Sequence, residues 1–248
     1  MTIVAIIPAR SGSKSIPRKN IRYLAGHPLV AYSIIGALKS KIIDRVVLST
    51  DDEQIADIAK DYGAEVPFLR PMGLAQDNTQ DLPVFQHALE WLDYNENYKP
   101  EIIVHLRPTN PFRSVADIDE AIQLLQVNST AHSVRGVSLP LTSPYKMYRL
   151  KEHGFIEPLF VSEHPNAHNM PRQKLPVVYR GNGAVDITRW NTIMMLNSMT
   201  GTQILSYYIK DERCVDIDTQ EDWDYAEWLC KSFRRGLPLS GDHIDCRR

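Results

Sequence analysis

The apolar positions fall into short runs separated by longer stretches with helical spacing. The first run, Ile3-Val4-Ala5-Ile6-Ile7, ends at Pro8. It is rich in Ile and Val, too short for a helix, and reads as a strand buried on both faces of a parallel sheet. Val46-Val47-Leu48-Ser49-Thr50 and Ile102-Ile103-Val104-His105-Leu106 read as the second and third strands. Helices are predicted between and after them. Residues 28–39 have Pro28 in the first turn and an apolar face of Leu29, Ile34, Ile35 and Leu38. Residues 51–62 begin with Asp51 and Asp52 and stop at Gly63, a natural C-cap. Residues 82–95 form the third, and residues 114–126, capped by Ser114, the fourth. Strand alternating with helix predicts an α/β fold with a doubly wound, mostly parallel sheet.

Residues 130–180 break this rhythm. Proline recurs at 140, 144, 158, 165, 171 and 176, and strand-like runs replace the alternation, which predicts an inserted β-rich arm. Regular folding resumes at Gly183-Ala184-Val185-Asp186-Ile187. Residues 203–209 and Val215-Asp216-Ile217 read as further strands. An amphipathic helix over 219–233 carries Trp223, Ala226 and Leu229 on one face. Residues 1–235 are therefore expected to form one domain with 130–180 inserted, followed by a polar, mobile tail at 236–248.

Composition narrows the function. The chain has 248 residues, 43% hydrophobic and 23% charged, which suits a globular protein with its own core. Its net charge of −2 provides no global field for nucleic acid or an anionic membrane, so any anion site must be local. Cys214, Cys230 and Cys246 are widely spaced, which argues against a disulfide framework and for a reducing, cytoplasmic setting. Residues 1–8 lack the basic start of a signal peptide. The eight histidines, including His153, His164 and His168 in the arm, have no zinc-ligand spacing.

Two local features carry chemistry. After the first strand comes Ala9-Arg10-Ser11-Gly12-Ser13-Lys14-Ser15-Ile16-Pro17-Arg18-Lys19-Asn20, a loop with small residues and four cations. Ligands of open α/β sheets sit beyond the carboxyl ends of the strands. Small residues let backbone N–H groups close on an anion, so a polyphosphate is the natural guest. A solvated basic loop is the plainer alternative. Farther on, Asp216 and Asp218 flank Ile217, which places both carboxylates on one face of an extended segment. That pair suits Mg²⁺, while Asp218 could equally cap the last helix.

The loop resembles the first motif of the cytidylyltransferases that activate sialic acids and related 3-deoxy-2-ulosonic acids, I-P-A-R-x-G-S-K-x-[IL]-P-x-K-N, at Ile7, Pro8, Ala9, Arg10, Gly12, Ser13, Lys14, Ile16, Pro17, Lys19 and Asn20. Three other stretches are similar to later motifs of that family. Arg107-Pro108-Thr109-Asn110-Pro111-Phe112-Arg113 resembles Q-P-T-S-P-L-R. Residues 171–184 resemble P-R-Q-x-L-P-x-x-F-R-P-N-G-A through Pro171, Arg172, Gln173, Leu175, Pro176, Arg180, Asn182, Gly183 and Ala184. Val215-Asp216-Ile217-Asp218-Thr219 resembles the closing I-D-I-D-T. Residues 77–81 fall where the family surrounds the cytosine, with Asp77 the clear match.

The resemblance implies a Rossmann-like nucleotidyltransferase in which CTP and a sialic-acid-like sugar acid give a CMP-sugar and pyrophosphate. It implies that Arg10, Ser11, Gly12, Ser13, Lys14, Lys19, Asn20, Arg70 and Asp77 bind the nucleotide, Lys19 acting at the α-phosphate. Asp216 and Asp218 would hold Mg²⁺, and with Arg10 and Lys19 form the catalytic set. Arg107, Thr109, Asn110, Arg172, Gln173, Arg180 and Asn182 would face the sugar acid, and the arm would be exchanged across a homodimer. The alternatives are a nucleotidyltransferase of the same fold using another nucleotide or a sugar 1-phosphate, and a non-catalytic nucleotide-binding protein.

This chain departs from the family at Arg107 (glutamine), Gly181 (proline) and Asp186 (tyrosine). Either Arg107 has no part in recognition, turning to solvent or pairing with a local acid such as Asp186, or its guanidinium reads an acceptor carboxylate in a fork that glutamine cannot offer. The second reading predicts poor use of N-acetylneuraminic acid and better use of another nonulosonic or octulosonic acid.

Overall fold

A computed structural model describes residues 1–160, 166–210 and 214–232. The elements follow in order: β1 Ile3–Pro8, β2 Tyr23–Leu24, β3 His27–Pro28, α1 Leu29–Leu38, β4 Arg45–Ser49, α2 Glu53–Asp61, α3 Asp81–Glu96, β5 Ile102–His105, α4 Val115–Val127, β6 Ser133–Ser138, β7 Tyr148–Leu150, β8 Ile156–Pro158, β9 Arg180–Arg189, α5 Trp190–Met194, β10 Ile204–Tyr208 and α6 Gln220–Ser232. His164, Pro165, Cys246, the end of the predicted last helix at 233 and the tail 236–248 lie outside the described residues.

The central sheet has the order β10-β6-β9-β5-β1-β4. β1 pairs in parallel with β4 and β5, and β10 with β6, while β9 runs antiparallel to both β5 and β6. Alternate side chains of β1 point to opposite faces, as the pleat requires. Ile3, Ala5 and Ile7 pack with Val30 and Ile34 of α1, Ile55 of α2 and Ile118 and Ile122 of α4. Val4 and Ile6 pack on the other face with Val84, Phe85 and Leu89 of α3 and Ile193 of α5. Both faces are thus covered, the arrangement predicted from the unalternating apolar runs. α6 lies apart. Its Trp223, Ala226 and Leu229 pack with Ile16 of the basic loop, Leu29 and Tyr32, in a third cluster that joins the loop to this last described helix.

The predicted caps form as written in the sequence. Asp52 accepts from Ile55 N–H at 2.9 Å to start α2. Gly63, at φ 93°, follows its end, where a side chain would be strained. Ser114 and Asp117 exchange hydrogen bonds as a capping box for α4.

Two expectations change. The segment 130–180 does not project as a whole, because β6 lies inside the central sheet, flanked by β9 and β10. The part outside the sheet includes the β7–β8 hairpin and short 3₁₀ turns between β6 and β9. The Val215-Asp216-Ile217 segment joins no ladder. It stays extended, with Val215 and Ile217 buried and Asp216 and Asp218 exposed, pinned by Ile217 N–H to the Thr109 carbonyl at 2.9 Å. The two carboxylates share a face, as predicted for a strand, although a single backbone bond replaces the sheet.

Candidate active site

The chain crosses from one side of β1 to the other between β4 and β5, so the sheet switches direction there. A cleft of about 280 Å³ opens beyond the carboxyl ends of β1 and β5, at this switch point. One wall is the basic loop, with Arg10, Gly12, Ser13, Lys19 and Asn20. The facing wall is the 70–84 segment, with Arg70, Leu74, Thr79, Asp81 and Val84. His105, Arg107, Pro108 and Thr109 close the β5 end, and Asp218 the remaining edge.

Local bonds explain the shape of the loop. Ala9 N–H donates to the Ser49 carbonyl at 2.9 Å, continuing the β1–β4 pairing one step past the strand. Asp51 then takes Ser11 N–H at 3.0 Å and the Ser11 hydroxyl at 2.6 Å. Asn20 Nδ2 donates to the Arg10 carbonyl at 2.9 Å and closes the loop from its other end. Ile16 is fully buried beneath it. Ser11 therefore shapes the loop from behind and does not line the cleft. Asn20 lines the cleft and also braces the loop.

Arg10 and Lys14 converge on one carboxylate. Asp77 Oδ1 accepts from Arg10 Nη1 at 2.9 Å, and Asp77 Oδ2 lies 2.5 Å from Lys14 Nζ. Lys14, through its hydrogen bond, and then Arg10 lower the Asp77 pKa. Asp77 was expected beside the nucleotide; here it bridges two of the loop's own cations at the mouth.

Arg70 is almost fully buried in the opposite wall. Its nearest carboxylate is Asp51, 3.7 Å away, and its Nε and Nη2 have no hydrogen-bond partner. Burial lowers its pKa, against the pull of Asp51. A buried guanidinium with unused donors costs free energy until something accepts from it.

Lys19 connects the loop to the carboxylate pair. Its Nζ donates to the Ile217 carbonyl at 2.7 Å and to Asp218 Oδ1 at 2.9 Å. Asp222 holds this turn from below, accepting from the backbone N–H groups of Asp218 and Thr219 at 3.0 and 2.8 Å. Asn110 Nδ2 donates to Asp216 Oδ1 at 3.1 Å, while its own buried Oδ1 has no partner. Enclosure by the protein raises the Asp216 carboxyl; the Thr109 hydroxyl opposes this and the Asp218 charge adds to it. Two carboxylates on one face, one raised in part by the other, form a hard oxygen pair that fits a magnesium ion completed by phosphate oxygens. Among the described residues no group of three or more acidic, histidine or cysteine side chains could hold a metal. The pair therefore needs ligand oxygens to complete a cation site.

Arg107 takes the first of its two predicted alternatives. It donates to Asp186, and from Nη2 to Asp81 Oδ2 at 3.0 Å. It lines the cleft, but its fork is engaged by protein acids and is not free for an acceptor carboxylate. The turn after β5 is held by Arg113, which donates to Ser33 Oγ at 2.8 Å and to the Arg107 carbonyl.

The residues expected from the arm do not reach this cleft within one chain. Arg172 donates to the Pro140 carbonyl at 3.0 Å, and Gln173 is exposed. Arg180 opens β9 with its Nε buried and unpartnered. Asn182 is a correction. It is buried, donating to Cys214 Sγ at 3.2 Å and accepting from Ala184 N–H at 3.1 Å. The β6–β9 ladder is irregular between Arg135 and Val137, and a β-carbon on Gly136 would stand 2.6 Å from the Asn182 oxygen. Asn182 therefore fits a glycine-bearing bulge and is a structural residue of the sheet.

Of two further cleft residues, His105 had no role assigned from the sequence, and Asp81 entered only as the end of the stretch 77–81 that falls where the family surrounds the cytosine. Asp81 reads there as the residue before a helix, and His105 as one more strand residue. The available signal for both was position. Asp81 is the first residue of α3 and His105 the last of β5, and the two ends meet at the same edge of the sheet.

A basic loop at the switch point of a doubly wound sheet, facing a same-face carboxylate pair, defines a nucleotidyltransferase. A family model described as cytidylyltransferase matches residues 4–229. The chain belongs to the cytidylyltransferase family. It is 34% identical over 240 residues to the CMP-N,N'-diacetyllegionaminic acid synthase of Legionella pneumophila, covering 96% of this chain and 100% of that one. It is 34% identical over 226 residues to the N-acylneuraminate cytidylyltransferase of Escherichia coli, covering 90% of this chain and 51% of that one. A solved CMP:2-keto-3-deoxy-manno-octonic acid synthetase complexed with CTP has the same fold, with a TM-score of 0.68 at 14% identity, over 94% of this chain and 99% of that one.

Proposed function

We propose that this enzyme activates a sialic-acid-like 3-deoxy-2-ulosonic acid with CTP, giving the CMP-sugar and pyrophosphate. The observation that carries this reading is the meeting of the phosphate loop and the carboxylate pair through Lys19 and Asp218, 2.9 Å apart. The relatives named above support the choice of nucleotide and acid. The anomeric hydroxyl attacks the α-phosphorus, the bond to the β-phosphate oxygen breaks, and pyrophosphate leaves. Such a transfer needs alignment and charge neutralisation more than covalent help.

Arg10 and Lys14 bind the triphosphate after releasing Asp77, and the backbone of Gly12 and Ser13 lines its path. Arg70, in the opposite wall, adds positive charge to the nucleotide's side of the cleft. Lys19 faces the α-phosphate. Asp216 and Asp218 would hold a magnesium ion, which when bound supplies neutralising charge to phosphate oxygens. Among the described residues, Cys214 and Cys230 are buried and outside any disulfide, which supports a reducing, cytoplasmic setting. Among the described residues no helix is long and apolar enough to cross a membrane.

A panel of the four nucleoside triphosphates against several 3-deoxy-2-ulosonic acids, read by pyrophosphate release, tests the reaction. Release is expected with CTP and a nonulosonic acid. A best rate with another nucleotide, or with a sugar 1-phosphate, would replace this reading.

The arm bears on assembly. Leu141, Met147, Phe155 and Phe160 are exposed, as are Leu150 and Ile156 of the hairpin. So many apolar side chains on one short insert mark a contact surface. We infer a two-fold homodimer in which the arm packs on a second copy. It would also bring Arg172 and Gln173 toward that copy's cleft. Light scattering at micromolar concentration should give twice the mass of the chain. A fully active monomer would count against the dimer.

A further inference from the structure

Four charged side chains and one imidazole meet where β5 ends. Arg107 holds Asp186 with Nη1 and Asp81 with Nη2. Asp186 is also 2.5 Å from Arg135 Nη1. Two cations balance two carboxylates, so this quartet keeps no net charge for a ligand carboxylate.

The two acids differ in access. The Asp186 side chain is 6% exposed, whereas that of Asp81 is 45% exposed and lines the cleft. An ionised carboxylate has about four acceptor sites, and Arg107 uses only part of them. Beside Asp81 lies His105, buried at the cleft, with neither ring nitrogen hydrogen-bonded and Nδ1 3.9 Å from Asp81 Oδ2. Burial, and then the charges of Arg107, Arg135 and Arg113, hold the imidazole well below its usual pKa. It is neutral near pH 7, with one nitrogen accepting and one donating.

This wall adjoins the reacting end. A β-carbon on Gly183 would lie 3.5 Å from Asn110 Nδ2 and 3.6 Å from Arg107 Cδ, so both side chains border Gly183. Asn110 in turn bonds to Asp216.

We propose that Asp81 forms a subsite that accepts a hydrogen-bond donor of the acceptor sugar acid, a hydroxyl or acylamino N–H, with the buried His105 beside it and Arg107 as the positioning residue that aims Asp81. The proposal rests on the acceptor reading above. It assigns recognition of the sugar's own carboxylate to another part of the site. Asp81→Asn is the direct test. Arg107 Nη2 would claim the amide oxygen and turn Nδ2, a donor, toward the ligand's donor.

Acceptor KM should rise about ten- to a hundredfold, the loss of one hydrogen bond to a charged group. The CTP dissociation constant, measured by calorimetry without acceptor, should stay within about twofold, since no bond to the nucleotide is removed. Acids bearing acylamino groups should be affected differently from a 3-deoxyoctulosonic acid, which has none. Arg107→Gln should shift acceptor KM in the same direction with a smaller change in kcat. An unchanged acceptor KM in Asp81→Asn would overturn the subsite. So would weakened CTP binding with acceptor KM intact, which would place Asp81 at the base. A wild type that binds CTP but releases pyrophosphate with no sugar acid would instead overturn the acceptor reading itself.

Discussion

Lys19→Ala is expected to lower kcat by about two to three orders of magnitude, the cost of removing one preorganised donor from a developing charge, while CTP affinity changes only a fewfold. The expectation comes from where the ammonium is held. Lys19 is 11% exposed at its side chain, and two oxygens, the Ile217 carbonyl and Asp218 Oδ1, fix its position. It has little freedom to follow a ground-state phosphate outward, so its charge acts where it already stands, between the loop and the carboxylate pair. Arg10 is different. It is one-third exposed and tied to Asp77 at the mouth, where it would grip the triphosphate in the ground state as strongly as in the transition state. Arg10→Ala should therefore raise the CTP KM with a smaller loss of kcat. Steady-state kinetics with calorimetry on both variants separates the roles. If Lys19→Ala raised only KM, Lys19 would be a binding residue and the contrast would fail.

The strands and helices around β1 were legible because each is locally determined. Unalternating Ile and Val mark a strand covered on both faces, and Asp52, Gly63 and Ser114 mark helix ends by bonds made within a few residues. The strand β6 was not separable from the arm, because its place between β9 and β10 depends on partners about fifty and seventy residues farther on. The loop residues were legible as a motif, but their division of labour was not. Ser11 turns to Asp51 and Asn20 to the Arg10 carbonyl through bonds that no spacing encodes. Arg107 could be read as free or paired; only the fold shows that β9 brings Asp186, and α3 brings Asp81, to the same guanidinium. Asn182 looked like a ligand residue by resemblance and is a buried sheet residue, its amide bonded to Cys214 and to the Ala184 N–H beside the irregular β6–β9 pairing at Gly136.

Asp216→Asn and Asp218→Asn are each expected to leave the protein folded, to abolish most turnover, and to recover part of it at high Mg²⁺. Asp218 is exposed, and Asp216 keeps solvent access although the protein encloses part of its carboxyl, so neither amide is buried without partners and the fold loses little. The two variants should differ in detail. Asp218 is paired with Lys19, so its replacement removes one of the two proposed metal ligands and also frees the ammonium that it orients. Asp216 is bonded to Asn110 and to the Thr109 hydroxyl, so its replacement should perturb the cation site with less effect on Lys19. A raised Asp216 carboxyl adds a second signature. Its proton competes with a cation, so apparent Mg²⁺ affinity should fall as pH drops toward the carboxylate range, and Asp216→Asn should flatten that dependence. Binding of Mn²⁺ to the wild type and variants, followed by calorimetry in the presence of CTP, reads the site independently of turnover. Full activity in both variants, with no added Mg²⁺ demand and unchanged Mn²⁺ binding, would remove the metal role from the pair and leave Asp218 as the partner of Lys19 alone.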